Sequence, residues 1–188
     1  MNILISGGAK NGKSHYAQQT AQTLAAGGPL YYIATMIPRD GEDQARIVRH
    51  QQDRDGWGVT TIEQGKSVKA LIDREDVNLA GSFLLDSVTA VLENEMFPVA
   101  IKDGQAEFLG EDMDAPERVR AELVAFAKAV REAGGSVVFV SDGIYGDACG
   151  YSASTERYRK ALAEADRALV LVCDKVTEVS CGLTEEWK

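Results

Sequence analysis

Residues 2–14 read Asn2-Ile3-Leu4-Ile5-Ser6-Gly7-Gly8-Ala9-Lys10-Asn11-Gly12-Lys13-Ser14: an apolar run, a glycine-rich turn and a Lys-Ser pair. The spacing is the full P-loop form, Gly7, four residues, then Gly12, Lys13 and Ser14, and each position has a physical task. Glycines without a Cβ let consecutive amide N–H groups converge on phosphate oxygens, and a helix starting near Lys13 adds the positive end of its dipole. On this reading Gly7, Gly8, Ala9, Lys10, Asn11 and Gly12 line the cradle. Lys13 reaches the β- and γ-phosphates of a nucleoside triphosphate, and the Ser14 hydroxyl ligates Mg²⁺. The form demands a strand before it and a helix after it. Ile3, Leu4 and Ile5 supply the strand, and residues 14–26, rich in Ala, Gln and Leu with Pro29 just beyond, supply the helix. A glycine-rich turn without a ligand is the competing reading, and the agreement of spacing, Lys-Ser pair and flanks weighs against it.

Beyond this unit the chain alternates. Leu30 to Thr35 is a β-prone run whose end, Ala34-Thr35-Met36, should emerge beside the cradle, because parallel α/β sheets bind ligands at the carboxyl ends of their strands. Residues 41–54 are polar and read as a solvent-facing helix on which Arg46, His50 and Arg54 share a row. A short strand in Trp57 to Glu63 delivers Glu63, and a modest helix follows over 66–76. Ser82 to Ser87 is an apolar strand ending in Asp86. That carboxylate fits two compatible roles, positioning Mg²⁺ or capping the helix from Val88 to Phe97. Pro98 to Pro116, with Gly104, Gly110 and several acids, reads as a surface excursion. An amphipathic helix spans Pro116 to Ala133, with Val119, Leu123, Phe126, Ala127 and Val130 on its buried face. Ser136 to Ser141 is another buried strand, opening into the loop Asp142 to Asp147. The last helix covers 155–173 with Ser154 or Thr155 as its cap, a final strand covers Val176 to Ser180, and Thr184 to Lys188 is a polar tail. The expectation is one α/β domain over residues 1–188, P-loop NTPase-like, with a mainly parallel sheet covered by helices on both faces.

Composition narrows the partners. A formal net charge of −9 and a pI near 4.8 argue against nonspecific nucleic-acid binding. No apolar run approaches the length of a membrane span, and no charged leader precedes the first strand. The three cysteines, Cys149, Cys173 and Cys181, are odd in number and lack CxxC spacing, which argues against a disulfide framework or structural zinc and for a cytoplasmic protein with reduced thiols. Cys149 falls in a loop and reads as an incidental thiol.

Several further stretches occur in the order of one family: Gly7 to Ser14, Tyr32-Ile33-Ala34-Thr35, Arg46-Ile47 with His50, Trp57 and Glu63, Leu84-Leu85-Asp86 with Asn94, and Val138 to Ser141 before the last helix. Together they resemble the bifunctional adenosylcobinamide kinase / adenosylcobinamide-phosphate guanylyltransferases of cobalamin biosynthesis, over nearly the whole chain. The resemblance implies ATP or GTP as donor, Mg²⁺, a corrinoid acceptor, and a homo-oligomer, a trimer. It also implies a guanylylated histidine following an Arg-Ile pair, which here is His50; a neutral imidazole suits a transfer divided into two steps. By the same carry-over Ala34, Thr35, Met36, Gln51, Gln52, Asp53, Arg54, Glu63 and Asp86 contact the guanine nucleotide or its metal. A carboxylate such as Glu63 can accept both N–H groups of a guanine edge. The other histidine, His15, reads as an exposed helix residue without chemistry.

The chain also departs from that pattern. The usual Asn-Glu-Val-Gly after the strand at 136–141 is Asp142-Gly143-Ile144-Tyr145, so the glutamate is replaced by Gly143. On the last helix, Tyr158-Arg159-Lys160, Ala163 and Asp166-Arg167 stand where the family has Arg followed by an acid, then Gly, then Asn-Gln. These segments should shape the acceptor side. Two other readings stay open: a P-loop small-molecule kinase or nucleotidyltransferase with a different acceptor, and a nucleotide-binding regulatory protein.

Overall fold

A computed structural model describes residues 1–38, 56–102, 105–146 and 149–188. Arg46, Ile47, His50, Gln51, Gln52, Asp53 and Arg54, with the helix expected over 41–54, lie outside the described residues. Seven strands form the main sheet: β1 (Asn2–Gly7), β2 (Leu30–Ala34), β3 (Thr60–Glu63), β4 (Ser82–Asp86), β7 (Ser136–Asp142), β8 (Lys175–Ser180) and β9 (Leu183–Glu186). Their spatial order is β3-β2-β4-β7-β1-β8-β9. Every pairing is parallel except β8 with β9. The mainly parallel α/β architecture expected from the alternating pattern is therefore present.

Strand periodicity sorts the core into two layers. Ile3 and Ile5 of β1 point to the face covered by α1 (Lys13–Ala25), against Ala17 and Ala21. Leu4 points the other way, into the larger cluster. That cluster is closed by α2 (Val88–Met96), α3 (Ala115–Glu132) and α4 (Ala153–Val172). The buried stripe of α3 contains all five residues that the helical periodicity selects, Val119, Leu123, Phe126, Ala127 and Val130. Phe83 of β4 stacks on Tyr31, with ring centroids 4.9 Å apart, and meets the edge of Phe126.

Four local expectations change. Residues 66–76 contain a 3₁₀ helix, Val68–Asp73, rather than an α-helix. The supposed excursion Pro98 to Pro116 holds an antiparallel hairpin, β5 (Val99–Lys102) with β6 (Gln105–Phe108), Val99 opposite Phe108. Asp103-Gly104 between two short β-prone quartets is a hairpin signal that the acidic composition obscures. The tail is likewise partly a strand, because β9 pairs with the exposed edge of β8. On α4 the cap is Ser152, whose hydroxyl accepts from the Thr155 N–H.

The register aligns the C-terminal ends of the strands. Gly7 lies opposite Asp142, and Ala34 is flanked by Glu63 and Asp86. One edge of the sheet thus carries the glycine-rich turn and the strand-end carboxylates.

Candidate functional site

The turn after β1 has the backbone its glycines permit. Gly12, in the left-handed region at φ 88°, is the N-cap of α1 and provides no side-chain hydrogen bond to that helix. The first-turn N–H groups of α1 are therefore left for an anion. Gly7 is fixed by close approach: a Cβ there would stand 2.3 Å from the Val179 carbonyl oxygen on β8. The turn is held from both sides. Gly143 donates its N–H to the Gly7 carbonyl, and Gly182, in the β8–β9 turn, donates to the Asn11 carbonyl.

Lys13 opens α1 and is only 8% exposed. Its Nζ donates to the Gly8 carbonyl at 3.2 Å and sits 2.5 Å from Asp142 Oδ1. Asp142 is itself placed by α2, its N–H donating to Thr89 Oγ1 at 2.9 Å. Ser14 is half-buried on the first turn of α1, while Ala9 and Lys10 are exposed at the tip.

Asp86 ends β4 with its carboxylate half-buried, and Tyr32 donates its hydroxyl to Oδ2 at 3.2 Å. The helix cap falls to its neighbour: Ser87 Oγ accepts from the Ala90 N–H, so capping does not occupy Asp86. Thr35 is fully buried. Its hydroxyl donates to the Ser87 carbonyl and accepts from the Ser87 N–H, tying the end of β2 to the end of β4. Asn94 on α2 completes the junction, its Nδ2 donating to the Thr35 carbonyl at 2.8 Å and to the Gly65 carbonyl at 3.0 Å. Ala34 and Met36 flank Thr35 and are half-buried, and Glu63 is exposed at the end of β3. Thus Gly7 to Ser14, Ala34 to Met36, Glu63 and Asp86 gather along one sheet edge, whereas His50 and Gln51 to Arg54 lie outside the described residues. His15 is exposed and its ring contacts the Gln19 amide.

A second layer beneath this edge was legible in the sequence only as a departure from a pattern. Asp166 of α4 is 4% exposed, and its Oδ2 accepts from Ser141 Oγ at 2.9 Å and from the Tyr145 hydroxyl at 3.0 Å. Burial above all, with the charge of Asp142, pushes its carboxyl up to about 6 against the two hydroxyl hydrogen bonds. Tyr145 is pushed up as well, by burial and by Asp166. Arg159, one face along α4, donates to the Ile144 carbonyl. The cysteines are free, Cys149 and Cys181 exposed and Cys173 buried.

Among the described residues no three His, Cys, Asp or Glu side chains cluster as a metal cage, and no helix is long and apolar enough to cross a membrane.

A parallel sheet with a glycine-rich cradle at the end of its first strand, the cradle's lysine opening the next helix and carboxylates on neighbouring strand ends, defines the P-loop NTPase-like α/β class. The crystal structure of the flagellar accessory protein FlaH from Methanocaldococcus jannaschii has this fold in common with the chain: TM-score 0.56 at 12% identity, covering 100% of this chain and 77% of that one. Within the class, the chain belongs to the cobinamide kinase / cobinamide phosphate guanyltransferase family, whose model matches residues 3–186. The bifunctional adenosylcobalamin biosynthesis protein CobU of Escherichia coli (strain K12) is 28% identical to it over 185 residues, 97% of either chain. The corresponding CobP of Pseudomonas aeruginosa is 27% identical over 184 residues, 97% of this chain and 95% of that one.

Proposed function

We propose that the protein carries out both steps of nucleotide-loop assembly on a corrinoid: phosphorylation of adenosylcobinamide, then transfer of GMP to the phosphate so formed. The observation that supports this most is the family match over residues 3–186 combined with an intact cradle and Lys13 at the sheet edge.

In the first step the cradle N–H groups and Lys13 bind the donor phosphates of ATP or GTP and leave the γ-phosphorus open to the aminopropanol hydroxyl. The hydroxyl oxygen bonds to phosphorus, the bond to the β-bridging oxygen breaks, and the hydroxyl proton passes to solvent. Ser14 and Asp86 offer the oxygen donors that Mg²⁺ prefers. Bound there, Mg²⁺ would neutralise charge on the phosphate oxygens. In the second step a ring nitrogen of His50 attacks the α-phosphorus of GTP and pyrophosphate leaves. The corrinoid phosphate then displaces histidine, giving adenosylcobinamide-GDP. Glu63, Ala34, Met36 and Gln51 to Arg54 are assigned to the guanine nucleotide, with Thr35 acting through the strand end it fastens. A homo-oligomer belongs to this reading, since a ring as large as a corrinoid needs a broad binding surface.

The test is labelling with α-³²P-GTP and Mg²⁺, followed by denaturation. Acid-labile, alkali-stable label in the wild type that vanishes in His50→Ala supports the guanylyl-histidine step. Intact GTP binding with no label in either protein would remove the transferase half and leave a P-loop kinase.

A further inference from the structure

A carboxylate as buried as Asp166 is costly unless its charge is compensated. Its Oδ2 accepts two hydroxyls, but Oδ1 has no hydrogen-bond partner among the described residues. Among the described residues no cation pairs with it, and Asp142 lies near enough to act on it unfavourably. Folding stability alone does not account for such a group, and its contacts converge on one place. Ser141 and Tyr145 bracket the segment that carries Asp142, the partner of Lys13, and Gly143, whose N–H holds Gly7. Arg159, two helical turns before Asp166 on the same helix, grips that segment at the Ile144 carbonyl.

We propose that Asp166 is a positioning residue of the nucleotide site: it sets the turn that places Asp142 against Lys13, and it takes up a proton when nucleotide draws Lys13 away. The electrostatics run in one direction. Without nucleotide, Lys13 neutralises Asp142 at 2.5 Å. When the phosphates claim Lys13, Asp142 loses its counter-ion and the phosphate charge arrives beside it. Both changes disfavour an ionised Asp166. Among the described residues, the charged and titratable groups around it offer no substitute cation. Asp142 lies on β7, Tyr145 on the turn, Glu178 on β8 facing Tyr145, and Cys173 at the end of α4, while Arg159 is engaged with Ile144 and Glu156. A proton from solvent binds the Asp166 carboxylate to give the neutral acid; no bond to nucleotide forms or breaks.

This rests only on the nucleotide-binding half of the function proposed above. The test is calorimetric titration of the wild type and Asp166→Asn with α,β-methylene GTP and Mg²⁺ at pH 7, in two buffers of different ionisation enthalpy. The wild type should take up a sizeable fraction of a proton, on the order of half, more than Asp166→Asn. Subtracting the variant removes protons that belong to the nucleotide. Tyr145→Phe should weaken binding about threefold or more, since it frees the turn and leaves the carboxylate. Equal proton uptake in the wild type and Asp166→Asn would overturn the proposal. Absence of binding by the wild type would instead sink the nucleotide reading, and this inference with it.

Discussion

Lys13 Nζ lies 2.5 Å from Asp142 Oδ1, so the lysine that opens α1 is held by a carboxylate at the end of β7, the strand paired with β1. Nucleotide must compete with Asp142 for that ammonium. Asp142→Asn removes the competitor and should tighten Mg-GTP binding by roughly threefold to tenfold, as expected for one partly buried ion pair. Lys13→Ala should abolish measurable binding at the same concentrations. Calorimetry on both variants checks this, and weaker binding by Asp142→Asn would count against the competition.

Asp166 makes stability depend on pH in a definite sense. Its folded carboxyl is pushed up to about 6 from the ordinary 3.8, so the ionised form is the one disfavoured by folding. The penalty is absent below about pH 4, grows between 4 and 6, and is constant above. Asp166→Asn should therefore stabilise the protein by on the order of 2 kcal/mol at pH 7.5 and not at pH 4. Urea denaturation at the two pH values measures the difference.

Asn94 carries one buried and one partly buried hydrogen bond, which fasten the end of β2 to the segment after β3. Asn94→Leu leaves the Thr35 carbonyl without its donor inside the core. The expected loss is about 2–4 kcal/mol in urea denaturation, with a larger loss of nucleotide affinity than a surface substitution of equal stability cost would give.

Gly7 tolerates no side chain. A Cβ would meet the Val179 carbonyl at 2.3 Å, so Gly7→Ala must move β8 or the cradle. Loss of nucleotide binding together with a fall in Tm is expected, whereas Gly12→Ala, with nothing within 4 Å, strains only its left-handed backbone. Binding and thermal melts of the two variants, side by side, separate the clash from the backbone effect.

Much of this protein is determined by sequence alone, for reasons of short range. The P-loop spacing is a constraint on consecutive backbone amides, so Gly7 to Ser14 can be read without knowing what packs around them. The period-two and period-3.6 patterns fix β1, β4, β7 and α3, because they decide which side chains leave water. The hairpin Val99 to Phe108 and the strand Leu183–Glu186 escape that reading: both form by backbone pairing, and the side chains of Leu183–Glu186 are all exposed and leave no burial pattern.

Only the tertiary structure decided the rest. The family resemblance implies Thr35 as a nucleotide contact, and the fold ties its hydroxyl to Ser87. Asp86 fits the helix cap on paper, but Ser87 takes it because its Oγ meets the Ala90 N–H. The pairing of Lys13 with Asp142, and the burial of Asp166 under Ser141 and Tyr145, join residues more than a hundred and about twenty positions apart. Contacts of that kind depend on strand order and register, and no local pattern in the chain encodes which strand end will face the cradle's lysine.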